Sequence, residues 1–185
     1  MNVKGTAYLA RVSYLKQTLG EPAWEQFIAE YAKKVPRFGE NVLPTTRIPA
    51  QDFVALNDEI VRRFFDGDDQ SYWAMGRASG EWGLRQGPYK NFIDSKNYEQ
   101  FLATGAALWS AYFDAGTLKS WWNAEAHLGE ATITGVPIPH VYFEYAVMGY
   151  IERALELTGA TIRETRRLKG FSRGDDSVHY QFVVA

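Results

Sequence analysis

At 185 residues, 46% hydrophobic and 23% charged, the chain has the balance of a folded globular domain and enough length for a core without covalent staples. A formal net charge of −2 gives no global pull toward nucleic acid or an acidic membrane. The sequence has no cysteine, which excludes disulfides, thiol catalysis, iron–sulfur clusters and cysteine-ligated zinc.

The opening stretch carries Lys4 and Arg11 and no unbroken apolar run, so it does not read as a signal peptide. No segment approaches the roughly 20 apolar residues that span a bilayer, and a cytoplasmic address is expected. Within residues 2–18, Tyr8, Leu9, Val12 and Leu15 give a short amphipathic helix, which Leu19-Gly20 ends. Pro22 suits a first helical turn, and Trp24, Phe27, Ile28, Tyr31 and Val35 follow at helical spacing. Residues 36–49 contain three prolines and read as a loop. Phe53, Leu56, Ile60 and Phe64 then mark one face of a third helix.

The segment near 69–86 reads as a helix with Gly76, Gly80 and Gly83 on one side. Each interior glycine costs a helix about 1 kcal/mol relative to alanine, so three need a reason. Close packing is the simpler one, either close approach of a second helix or room for bulky aromatic neighbours, and contact of backbone with a flat ligand is the other. A strongly amphipathic helix follows through Tyr98, Phe101, Leu102, Leu108, Trp109, Tyr112 and Phe113, ended by Gly116.

Beyond this point the periodicity changes. Residues 117–126 and 129–136 read as strands, Val141 to Leu155 as a helix with Glu144, Glu152, Arg153 and Glu156 on its wet face, and 160–169 and 176–184 as a closing strand pair. The chain is therefore expected to be α+β: a helical layer over 1–115 packed on a four-stranded antiparallel sheet in the half 116–185, in the order strand–strand–helix–strand–strand, all within one domain.

Two stretches carry a family resemblance: Gly5, Leu19-Gly20-Glu21 and Trp24 near the start, and Gly149, Leu155, Gly159 and Gly174-Asp175 before Tyr180-Gln181-Phe182-Val183-Val184 near the end. The chain resembles the fold shared by haem–NO-binding sensor domains, 4-vinyl-reductase-like ligand-binding domains and TRAPP vesicle-transport subunits. It is most similar to a paralogous group of myxobacterial proteins of unassigned function. The resemblance implies a bacterial sensing or scaffold module. It also implies, for a haem-binding member, an axial histidine on a mid-chain helix and a Tyr-x-Ser-x-Arg run on the strands that follow. Residues 51–115 contain no histidine and the strands contain no such run, so haem is not implied and no cofactor is expected.

The candidate site residues follow from these patterns. Trp73, Trp82, Tyr89, Phe92, Trp109 and Phe113 are placed to line an apolar pocket between helices and sheet, or else to form an ordinary large-ring core. A ligand pocket of this kind would enclose about 300 Å3 or more. Trp121 and Trp122 are consecutive on a strand, so one points to the helices and one away, where an exposed indole suggests a protein interface. Arg163, Arg166, Arg167, Lys169 and Arg173 could take a phosphorylated second messenger or an acidic partner, or could guard an exposed sheet edge against unwanted pairing. His127, His140 and His179 lack metal spacing, and no nucleophile, phosphate-loop or dinucleotide motif is present. Glu125, Glu130 and Glu144 read as surface acids. The expected function is non-enzymatic: binding of an apolar small molecule, or self-association as a homodimer or with a protein partner.

Overall fold

The computed structural model describes residues 1–87, 89–90 and 97–185. In chain order the elements are β1 (Asn2–Lys4), α1 (Gly5–Leu19), α2 (Glu21–Ala32), β2 (Arg47–Pro49), α3 (Ala50–Phe64), α4 (Gln70–Arg85), α5 (Tyr98–Ala103), α6 (Gly105–Tyr112), β3 (Thr117–Asn123), β4 (Leu128–Thr134), α7 (Val141–Leu157), β5 (Ile162–Lys169) and β6 (Val178–Val184). Short 3-10 turns occupy Pro36–Gly39 and Phe171–Arg173.

The expected sheet forms. Strands β3, β4, β6 and β5 lie side by side in that order, all antiparallel, with Trp121 opposite Glu130 and Tyr180 opposite both Ala131 and Arg167. Alternation along β6 buries Val178, Tyr180, Phe182 and Val184 on one face. Helix α7 packs on this face beside β5 and β6, while α5 and α6 cover β3. The fold is thus α+β with one four-stranded antiparallel sheet, as the sequence pattern indicates.

Three details differ from the sequence reading. Residues 2–4 and 47–49 pair as β1 and β2, a two-stranded sheet inside the helical half. Strands of three residues are too short for alternation to reveal. The single helix expected across 98–113 is broken at Thr104, whose hydroxyl donates to the Phe101 carbonyl at 2.7 Å and ends the first piece. Glu144 is fully buried, against the expectation of a wet face. Helix α7 is the central helix of the molecule, apolar on nearly all sides from Tyr142 to Leu155. Glu144 is tolerated inside because hydrogen-bond donors surround it.

The aromatic load fills two regions. Tyr8, Trp24, Phe27, Tyr31 and Phe38 form a ring cluster joining α1, α2 and the first 3-10 turn. A second cluster, built from Tyr112, Phe113, Phe143, Tyr142 and Phe53, runs between α3, α6 and α7. Among the described residues, no helix is long and apolar enough to cross a membrane.

Candidate functional site

The glycine face of α4 meets α7 directly. A Cβ placed on Gly76 would collide with the carbonyl of Ala146, and one on Gly149 would collide with the carbonyl of Trp73. Each glycine therefore lets the opposite backbone close in, which is the close-packing reading of the α4 glycines. Gly83 is different: its missing side chain leaves room for the phenol of Tyr112.

Beside this contact lies an interior cavity of about 50 Å3, lined by Gly76 and Ser79 of α4, Leu108 and Trp109 of α6, Phe113, and Tyr150 of α7, among others. It is far smaller than the roughly 300 Å3 expected from the sequence for a ligand pocket. The rings fill the space instead of enclosing a large void: Tyr112 packs on Tyr89 at 4.8 Å and on Tyr150 at 5.7 Å. The hydroxyls of Tyr112 and Tyr150 are buried against one another and have no other hydrogen-bond partner among the described residues. Burial pushes both phenols above their ordinary range, so both stay protonated and able to donate.

The sequence-selected residues separate. Trp109 and Phe113 line the cavity. Tyr89 packs against its Tyr112 wall and donates to the Ala111 carbonyl at 2.9 Å. Trp82 is half-buried near the end of α4. Trp73 faces the other way, into an outer groove with Tyr145, Arg167, Arg173 and Tyr180. Phe92 lies outside the described residues. Trp122 points inward and meets Tyr98 at 5.0 Å, while Trp121 is 42% exposed on the opposite sheet face.

The basic segment also separates. β5 is an edge strand. Arg163, Arg166 and Lys169 are exposed, and Arg166 pairs with Glu164 at 2.6 Å. Arg167 turns inward, where one guanidinium nitrogen meets the Tyr145 hydroxyl (2.6 Å), the Ser172 hydroxyl (2.8 Å) and Glu144 (3.3 Å). Glu144 further accepts from the Tyr180 hydroxyl at 2.8 Å and the Ser172 backbone N–H at 2.8 Å. The sequence reading missed Glu144, Tyr112 and Tyr150. For Glu144 a signal was present: it is the only charge in the run Val141 to Ile151.

No family model matches the chain, and no curated protein matches it. Solved structures do. A triple mutant of an H-NOX protein from S. oneidensis in the Fe(II) ligation state superposes with a TM-score of 0.78 at 10% identity, over 98% of this chain and 96% of that one. An H-NOX protein from S. oneidensis in the Fe(II)NO state gives 0.77 at 10% identity, over 98% and 99%. An oxygen-binding H-NOX domain related to soluble guanylate cyclases gives 0.71 at 13% identity, over 98% and 94%. The chain has the H-NOX fold.

That fold raises the question of haem, and the residues present do not fit it. All three histidines lie away from the cavity. His127 sits in the β3–β4 turn. His140 caps α7 by accepting from the Tyr142 N–H at 3.0 Å and lies 3.3 Å from Asp58. His179 contacts Glu130 at 2.8 Å, on the sheet face that carries Trp121. A 50 Å3 cavity has no room for a macrocycle, and beside it α4 and α7 meet backbone to backbone. Among the described residues no group of three or more His, Cys, Asp or Glu could hold a metal ion.

Proposed function

We propose that this chain is a non-enzymatic, haem-independent sensing module of a single domain, which holds a small, mainly apolar molecule in the cavity between α4, α6 and α7 and works in bacterial signalling or regulation. The observation that carries this reading is the pairing of a small, partly enclosed apolar cavity with two buried phenol hydroxyls, Tyr112 and Tyr150, that face one another and have no other hydrogen-bond partner among the described residues. Buried donors of this kind are nearly always satisfied, by protein, water or ligand. The volume limits an occupant to a few heavy atoms, or to about three waters. The glycines at both ends of the chain support kinship with the myxobacterial paralogues, and with the vinyl-reductase-like and TRAPP-type relatives, as part of the same reading.

Xenon tests the cavity. Under xenon pressure, methyl resonances of Leu108, Leu118 and Ile151 are expected to shift, and Ser79→Leu, which fills the space, is expected to abolish the shift. Native mass spectrometry of freshly purified protein then identifies a natural occupant. A cavity that rejects xenon while the fold is intact contradicts the reading.

A second reading, self-association, rests on Trp121. It stands exposed beside His179 on a sheet face flanked by Lys119, Glu130 and Arg166. A homodimer or protein partner covering this indole would be weakened by Trp121→Ser; sedimentation of a concentration-independent monomer would remove this alternative.

A further inference from the structure

We propose that the outer groove between α4, α7 and the β5–β6 connection is a second binding site, for a planar aromatic ring that carries an anionic group. The groove is broadly open to solvent and offers about 450 Å3 of space, several times the interior cavity. It shares no lining residue with that cavity, so the inference does not rest on the function proposed above.

Its aromatic part is Trp73. The indole lies half-buried against Tyr180, with ring centroids 5.8 Å apart and planes inclined by 35°. Its Nε1 donates to Glu152 at 3.1 Å, which fixes the plane of the ring. Glu152, the only carboxylate on the wall among the described residues, is already satisfied: Trp73 and Arg77 bond one oxygen, and the Thr165 hydroxyl donates to the other at 2.8 Å. It therefore offers little repulsion to an incoming anion.

The cationic part is Arg167 with Arg173. The Arg173 guanidinium makes no hydrogen bond or ion pair among the described residues. The turn that carries it is held rigidly. The Ser172 N–H donates to buried Glu144 at 2.8 Å, the Gly170 N–H donates to Asp175 at 2.8 Å, and Phe171 is buried. Arg167 spends one nitrogen on Tyr145, Ser172 and Glu144, and its remaining N–H groups make no hydrogen bond among the described residues. Two guanidinium groups on the wall of a groove that also presents an indole match a flat anion: the ring stacks, and the forked donors take phosphate or carboxylate.

Full-length protein titrated with adenosine 5′-monophosphate and with indole-3-acetate separates the phosphate source from the carboxylate source. Adenosine and inorganic phosphate serve as half-ligands. The readouts are calorimetry and the Trp73 indole N–H resonance, assigned by its loss in Trp73→Phe. At least one ring-bearing anion is expected to shift that resonance saturably, with binding weakened by about tenfold or more in Arg173→Ala. Arg173 is exposed and unpaired, so this variant is expected to fold. The proposal is overturned if neither ring-bearing anion shifts Trp73 up to about 5 mM, if Arg173→Ala binds as tightly as the parent, or if a half-ligand binds as tightly as the whole.

Discussion

Glu144 shows how one side chain organises a whole corner. It accepts hydrogen bonds from β6 through Tyr180, from the β5–β6 connection through Ser172, and from β5 through Arg167, so α7 is tied to both strands at one carboxylate. Glu144→Ala would leave these donors unsatisfied and Arg167 uncompensated, and is expected to cost about 3 kcal/mol in urea unfolding. Arg11 presents the opposite case. It is buried between helices, hydrogen-bonded to Asn57 at 2.8 Å and set against the Tyr142 hydroxyl, and its Nη1 has no partner among the described residues. Replacing both with apolar residues, Arg11→Met with Asn57→Leu, is expected to be neutral or stabilising by about 1 kcal/mol, whereas Asn57→Leu alone is expected to destabilise. Asp58 gives a pH dependence. Burial would raise its carboxyl, but hydrogen bonds from His140 and Tyr72 prevail and hold it below its ordinary value. Its stabilisation is therefore complete above the ordinary carboxylate pKa of about 3.9 and is lost as pH falls through the lower folded value. Asp58→Asn should flatten this acid limb of a stability-against-pH curve.

At the scale of elements, the α4–α7 contact dominates. The glycine spacing on α4 was legible, because three glycines on one face demand a close neighbour. The partner was not, since nothing local to residues 70–85 says which helix comes close. Gly76→Ala forces two backbones apart and is expected to cost about 3 kcal/mol in urea unfolding; Gly80→Ala, whose Cβ would stand 3.2 Å from the Tyr150 carbonyl oxygen, should cost distinctly less. The strands were legible for a related reason. Alternation in Val178 to Val184 is strict because only one sheet face is buried. In β5 the same alternation is hidden by two bulges, near Glu164 and Lys169, which rotate part of the basic segment relative to the rest. Between the bulges Arg167 faces the groove and Arg166 faces away, and the shifts leave Arg163 and Lys169 exposed on the edge strand, while Arg173 is brought to the groove by the 3-10 turn that follows.

Across the whole molecule, the order of helices and strands was sufficient to indicate one antiparallel sheet under a helical layer, and the H-NOX structures share that arrangement. The interior was harder to read. A high aromatic content fits a large pocket and a filled core equally well, and only the meeting of Tyr89, Tyr112 and Tyr150 decides for a small cavity. The two phenol hydroxyls depend on the same long-range meeting of α6 with α7. The central claim is that this H-NOX fold has closed its interior to haem and kept a space for a few atoms. Absorbance of the purified protein during titration with haemin tests it most directly. The account predicts no saturable Soret band and no haem retained through gel filtration, before or after reduction. A stoichiometric, retained haem with a defined Soret maximum would contradict it.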